Sequence, residues 1–132
     1  MADKKIILAV DDSPADLAVL STILEKQYDV RVSLSAMAAL GMLDTVKADM
    51  ILLDIEMPGM SGFEFLHQIK KMPKLMLTPV IFVSCHSTQE FVSHALSQGA
   101  NDLVPKPVNP DNLLSRINEC LAHPRRGGIF DL

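Results

Sequence analysis

The sequence has no tryptophan, a single tyrosine and only two cysteines in 132 residues. Two cysteines, Cys85 and Cys120, do not make the disulfide framework of a small secreted domain. None is needed: a chain of this length buries roughly two-thirds of the surface its unfolded form exposes. Long apolar runs are missing too. Stretches such as residues 6–10 fall far short of the ~20 residues a membrane-spanning helix requires, so no membrane segment is expected. The same run meets Asp11 and Asp12 too early to be a secretory signal, and a cytoplasmic location is expected. Positive charge is scarce, with 12 Lys and Arg against 16 Asp and Glu and a net charge of −4. Without a basic cluster, sequence-independent nucleic-acid binding is excluded. Arg125 and Arg126 are a patch of only two and read as part of a solvated tail. Nor is the chain disordered, since hydrophobic residues outnumber charged ones by 48% to 21%. The length fits about one domain.

What is present alternates between two periods. Residues 6–10, 50–53 and 80–83 are short continuous apolar runs, the pattern of strands buried on both faces. Residues 28–34 alternate instead, with Val30, Val32 and Leu34 on one side, as expected nearer an edge. Residues 102–105 give a fifth, weaker strand. Helical patterns fill the gaps. Ser13 caps a helix carrying Leu17, Leu20, Ile23 and Leu24, and Pro14 suits its first turn. Ser35 caps a second, running to Val46, with Met37, Leu40 and Leu43 on its face. Phe63, Leu66 and Ile69 mark a third, and Phe91, Ala95 and Leu96 a fourth that ends at Gly99. Asp111 caps a fifth, with Leu113, Leu114, Ile117 and Leu121. The expected fold is therefore α/β: a flavodoxin-like, doubly wound (βα)5 unit with a five-stranded parallel sheet in the order 2-1-3-4-5. The expected domain is 4–122, with 123–132 a tail or the start of a linker.

In that topology the first and third strands are neighbours, and ligands bind at their carboxyl ends. Asp11 and Asp12 follow the first strand directly, and Asp54 follows the third. Ser84 ends the fourth, and the fifth leads to Lys106. Three acids, a hydroxyl and a lysine thus meet at one rim. Two like charges ~4 Å apart cost about 4 kcal/mol even at an effective dielectric of 20. One lysine cannot balance three carboxylates, whereas a hard divalent cation with oxygen ligands can. The chemistry this favours is phosphoryl transfer to an Asp oxygen, with the cation and Lys106 neutralising the incoming group.

These stretches closely resemble the receiver domain of two-component response regulators. The resemblance lies in V-D-D-S-P at 10–14, L-L-D-I-E-M-P-G-M-S-G at 52–62, V-S at 83–84 and G-A-N-D-L-V-P-K-P-V at 99–108. It spans about residues 4 to 122, in order and at the family's spacing. It implies that Asp54 is the phospho-acceptor, supplied by a histidine kinase or a histidine phosphotransfer protein. It implies Mg²⁺ (with Mn²⁺ as a substitute) on Asp12 and Asp54 directly, on Asp11 through water and on the backbone carbonyl of Glu56. Lys106 pairs with the phosphoryl oxygens, Ser84 moves toward them, and the Lys106–Pro107 bond is cis. The implied output is a changed affinity of the fourth-helix, fifth-strand, fifth-helix face for a downstream protein or output domain. No separate catalytic activity is implied beyond loss of the phosphoryl group.

Three positions depart from the family pattern. Leu103 replaces the usual Tyr or Phe that rotates inward with the hydroxyl. Cys85 replaces a very small residue after Ser84. Glu56 places an acid two residues beyond the acceptor. A degenerate receiver acting as a phosphorylation-independent docking module is therefore the alternative. A haloacid-dehalogenase-like phosphatase would need D-x-D after the first strand, but the acids here are adjacent. A flavin module would want a hydroxyl-rich loop and flanking aromatics. Cys85 beside His86 lacks a third orienting group and does not read as a nucleophile. The four histidines lack metal-ligand spacing, and surface or capping roles are expected. Met57, Met60, Met72 and Met76 read as core and loop filler. Asp102 and Arg116 stand where some relatives pair across a dimer, which makes a homodimer a further expectation.

Overall fold

A computed structural model describes residues 3–123. Five strands and five helices alternate: β1 Ile6–Val10, α1 Pro14–Leu24, β2 Asp29–Ser33, α2 Ala36–Met42, β3 Met50–Leu53, α3 Gly62–Ile69, β4 Val80–Ser84, α4 Gln89–Ser97, β5 Asp102–Pro105 and α5 Pro110–Ala122. Every strand pairing is parallel, and the order is β2-β1-β3-β4-β5. The expected architecture is the observed one. Successive side chains of a strand point to opposite faces, and the core splits accordingly. Leu8, Val10, Ile51, Leu53, Phe82 and Leu103 pack with α2, α3 and α4. Ile7, Ala9, Leu52, Ile81, Val83 and Val104 pack with α1 and α5. Among the described residues no helix is long and apolar enough to cross a membrane.

Helix ends follow local chemistry. Ser13 caps α1 by accepting from the Asp16 N–H, with Pro14 in the first turn. Ser61 and Glu64 form a reciprocal capping box on α3. At α5 the cap is Asn109, not Asp111. Pro110 occupies the first helical position and leaves Asn109 extended, so the Asn109 side chain accepts from the Asn112 N–H. Asp111 falls inside the first turn, where an acid still suits the positive end of the helix dipole.

Two expectations about faces fail. Helix α2 ends at Met42 rather than Val46, and Met37 is exposed. Leu43 is buried and Leu40 packs on the core as expected, but in the first turn Ala36 and Ala39 take the buried positions in place of Met37. On β2 Val30 packs on the core as expected, but Val32 and, just beyond the strand, Leu34 are exposed, and the buried residue is Ser33, whose hydroxyl donates to the Ser35 carbonyl. An edge strand has little sheet beyond it to cover its apolar side. Met57 is buried and Met60 and Met72 pack on the core, as filler should, but Met76 is exposed.

Candidate functional site: an acidic rim with one lysine

The β1 and β3 ends carry the acids to the switch point of the sheet. The Asp11 N–H donates to the Ser33 carbonyl and the Asp54 N–H to the Val10 carbonyl, so backbone ladders place both residues. Carboxylate oxygens of Asp11, Asp12 and Asp54 all lie within 4.8 Å of one another. Asp11 and Asp54 are buried and Asp12 is exposed. Asp11 uses both oxygens: Oδ1 accepts from the Ser13 N–H at 2.9 Å and Oδ2 from Lys106 Nζ at 2.9 Å.

Lys106 arrives from β5. Its backbone N–H donates to the Ser84 carbonyl, which ties the β4 and β5 ends together, and the Lys106–Pro107 bond is cis as expected. The Nζ atom also lies 2.8 Å from Asp16 Oδ2 and 3.6 Å from Asp54 Oδ1. Asp16 was not expected in the site. It sits in the first turn of α1, where an acid has an ordinary capping explanation, and no spacing rule distinguishes it. The rim therefore sets four carboxylates against one ammonium.

This crowding changes Asp54. Burial disfavours its charged form and the nearby Asp11 charge adds to that, against the attraction of Lys106 and the N–H of Ile55, and its pKa is pushed up to about 6. Burial works against the Lys106 ammonium as well. The bonds to Asp16 and Asp11 and the charge of Asp54 more than offset it and hold the pKa above the usual lysine value.

Ser84 is buried at the end of β4, and its Oγ accepts the His86 N–H at 3.0 Å. Cys85 is exposed. Leu103 is buried in the layer of α2, α3 and α4. Glu56 is exposed and its carboxylate pairs with the His86 ring, a contact between residues thirty apart that the sequence reading did not contain. Asp102 and Arg116 pair within the chain, with Nη1 2.8 Å from both carboxylate oxygens. Arg125 and Arg126 lie outside the described residues.

The oxygens fit a hard cation. Three carboxylate oxygens within 4.8 Å of one another are the hard, charged donors that Mg²⁺ prefers. The rim thus brings together an acidic cluster and the Lys106 ammonium, with Ser84 buried at the end of β4.

The comparisons agree with the fold. The chain matches the response regulator receiver domain over residues 7–118 and belongs to that family. It is 35% identical to protein PilH of Pseudomonas aeruginosa, over 88% of this chain and 97% of that one. It is 40% identical to a probable cyclic di-GMP phosphodiesterase of Vibrio cholerae, over 94% of this chain but only 28% of that protein, whose named activity is not carried by this match. Among solved structures, the chemotaxis response regulator CheY4 of Vibrio cholerae superposes with a TM-score of 0.82 at 28% identity, covering 88% of this chain and 98% of that one. The protein is thus the receiver domain of a CheY-like response regulator, a class of signalling switch.

Proposed function

We propose that this receiver, over residues 4–122 with 123–132 as tail or linker start, accepts a phosphoryl group on Asp54 from a phosphohistidine donor. The observation that carries this reading is the convergence on Asp54. Its Oδ1 accepts the Ile55 N–H at 2.9 Å and faces Lys106 Nζ at 3.6 Å, beside the Asp11 and Asp12 oxygens. Among the described contacts these leave Oδ2 as the open oxygen. In the transfer an Asp54 oxygen forms a bond to phosphorus as the phosphorus–nitrogen bond to the donor imidazole breaks, and the imidazole leaves with that electron pair. Lys106 supplies fixed positive charge to the transferred oxygens, a contribution already in place before the reaction.

Asp12, Asp54 and the Glu56 carbonyl would hold Mg²⁺, or Mn²⁺ in its place, with Asp11 reaching it through water because both its oxygens already accept hydrogen bonds. The bound cation would supply further positive charge to the phosphoryl oxygens. A chelator should therefore abolish uptake from a small acyl phosphate, and added Mg²⁺ should restore one phosphoryl group per chain by intact mass. Equal uptake in the chelator would contradict the metal assignment.

Ser84 Oγ then turns to the phosphoryl oxygens. The output is a population shift at the α4, β5 and α5 face, read by a downstream protein, an output domain or a second copy of the chain. The donor is a histidine kinase or histidine phosphotransfer protein, and the compartment is the cytoplasm. Glu56 holds negative charge near the acceptor and sets how water approaches the phosphoryl group. Glu56→Ala should measurably change the dephosphorylation half-life. An unchanged half-life would remove Glu56 from the account.

A further inference from the structure

Leu103 raises a question of transmission. It is buried and carries no ring, so it cannot couple Ser84 to α4 by turning an aromatic side chain inward. A chain of contacts leads out of the site in that direction. Ser84 Oγ accepts the His86 N–H at 3.0 Å. The His86 ring is held at one edge by the Glu56 carboxylate and lies flat on Phe91 of α4, with centroids 5.0 Å apart and planes 17° from parallel. Phe91 lies 6.2 Å from Phe63 of α3, and Phe63 in turn meets Phe82 of β4 at 5.0 Å and His94 of α4 at 4.9 Å. All of these separations fall within the range of interacting ring pairs.

We propose that the His86 ring, clamped between Glu56 and Phe91, is the positioning residue that couples Ser84 to α4 in this protein. The proposal rests on the phosphoryl-acceptor reading above. Both holds on His86 change in the same event. Turning Ser84 Oγ toward Asp54 withdraws the acceptor from the His86 N–H. The phosphoryl group adds about −1.5 to −2 charge near neutral pH, two residues from Glu56, and pushes the Glu56 carboxylate out of its place beside the ring. Loop 85–88 then resettles, and the ring slides on Phe91. Helix α4 begins at Gln89, directly after this loop, with Thr88 as its cap. Phe91 also meets Phe63, so a shifted His86 ring bears on the first turn of α4. The stack thus takes the place of an inward-rotating aromatic at position 103.

The test compares wild type, His86→Ala and His86→Phe with Mg²⁺ and a small acyl phosphate, at phosphoryl occupancy matched by intact mass. The readout is the change in amide chemical shifts on phosphorylation. In wild type, shifts should change at residues 54–56 and across residues 89–97. His86→Ala should still take one phosphoryl group and respond at 54–56, while its α4 response falls about threefold or more, the scale of a coupling of roughly 0.7 kcal/mol. His86→Phe keeps a flat ring on Phe91 and should recover most of the α4 response. An undiminished α4 response in His86→Ala overturns the coupling alone, as does a His86→Phe variant no better than His86→Ala. Failure of the wild type to take a phosphoryl group overturns both the coupling and the reading beneath it.

Discussion

Replacing Lys106 with methionine should slow phosphoryl uptake by about 100-fold, the usual scale for removing one preorganised charge donor from a transfer site. It should also lower stability without metal by about 2–3 kcal/mol, less than a fully buried pair because Asp12 and Asp16 remain in contact with water. The reason is geometric. Lys106 Nζ touches Asp11 at 2.9 Å and Asp16 at 2.8 Å and lies 3.6 Å from Asp54. Asp11 is only 2% exposed, so without the ammonium its charge is left beside Asp54 with little solvent to screen it. A cation should be the remedy, because a ligand that binds only the folded state stabilises it. Mg²⁺ should therefore raise the Tm of Lys106→Met by more than it raises that of wild type. A variant with wild-type uptake, or one whose Tm gains less from Mg²⁺ than wild type, would contradict the central place given to Lys106. Chemical denaturation and a thermal melt with and without Mg²⁺ measure these effects.

Gly62→Ala should be as damaging, though Gly62 touches no phosphoryl group. A Cβ there would lie 2.2 Å from the Asp54 carbonyl oxygen and 2.9 Å from the Ile55 Cα. Both are backbone, so no side chain can swing aside. The Gly62 N–H also donates to the Ile55 carbonyl at 2.7 Å, which fixes the start of α3 against the acceptor segment. The substitution must push the end of β3 away from α3, at an expected cost of about 3 kcal/mol. Phosphoryl uptake should fall with it, because the displaced segment carries the Asp54 carboxylate and the Ile55 N–H that orients it. Gly59 is the control. Its φ is +80°, but nothing lies within 4 Å of a Cβ placed there. Gly59→Ala should cost only the strain of the left-handed conformation, about 1 kcal/mol, and leave uptake unchanged. Comparable losses in the two variants would mean that loop conformation, not close approach, accounts for Gly62.

The two glycines show where the reading of the sequence stops. Gly59 stands in the turn after β3 and Gly62 opens α3, and the sequence alone does not distinguish them. Only coordinates separate the one that needs a positive φ from the one that needs the absence of a side chain. The strands were legible because a sheet buried on both faces demands continuous apolar runs, and residues 6–10, 50–53 and 80–83 supply them. The acids were legible because parallel topology sends every strand end to one rim. Asp16 was not, because an acid in a first turn is explained by the helix alone. The Glu56–His86 pair was not either, since its partners are thirty residues apart and meet only once β3 and β4 lie side by side. Met37 misled because hydropathy favours the larger side chain, whereas α2 packs through Ala36 and Ala39, whose small size lets it approach the sheet. Asn109 was passed over for Asp111 because the effect of Pro110 on its preceding residue decides the cap.

The central claim is that Asp54, among the acids of the rim, carries the phosphoryl group. Borohydride reduces an acyl phosphate to an alcohol and so converts a phosphorylated aspartate to homoserine. Tryptic cleavage after Lys47 and Lys70 places Asp54 in the peptide 48–70, apart from Asp11, Asp12 and Asp16. After treatment with Mg²⁺ and a small acyl phosphate, then borohydride, fragmentation of that peptide should place homoserine at 54, and the Asp54→Asn chain should contain none. Homoserine at position 11, 12 or 16, or none in the wild-type chain at any donor concentration, would contradict the account.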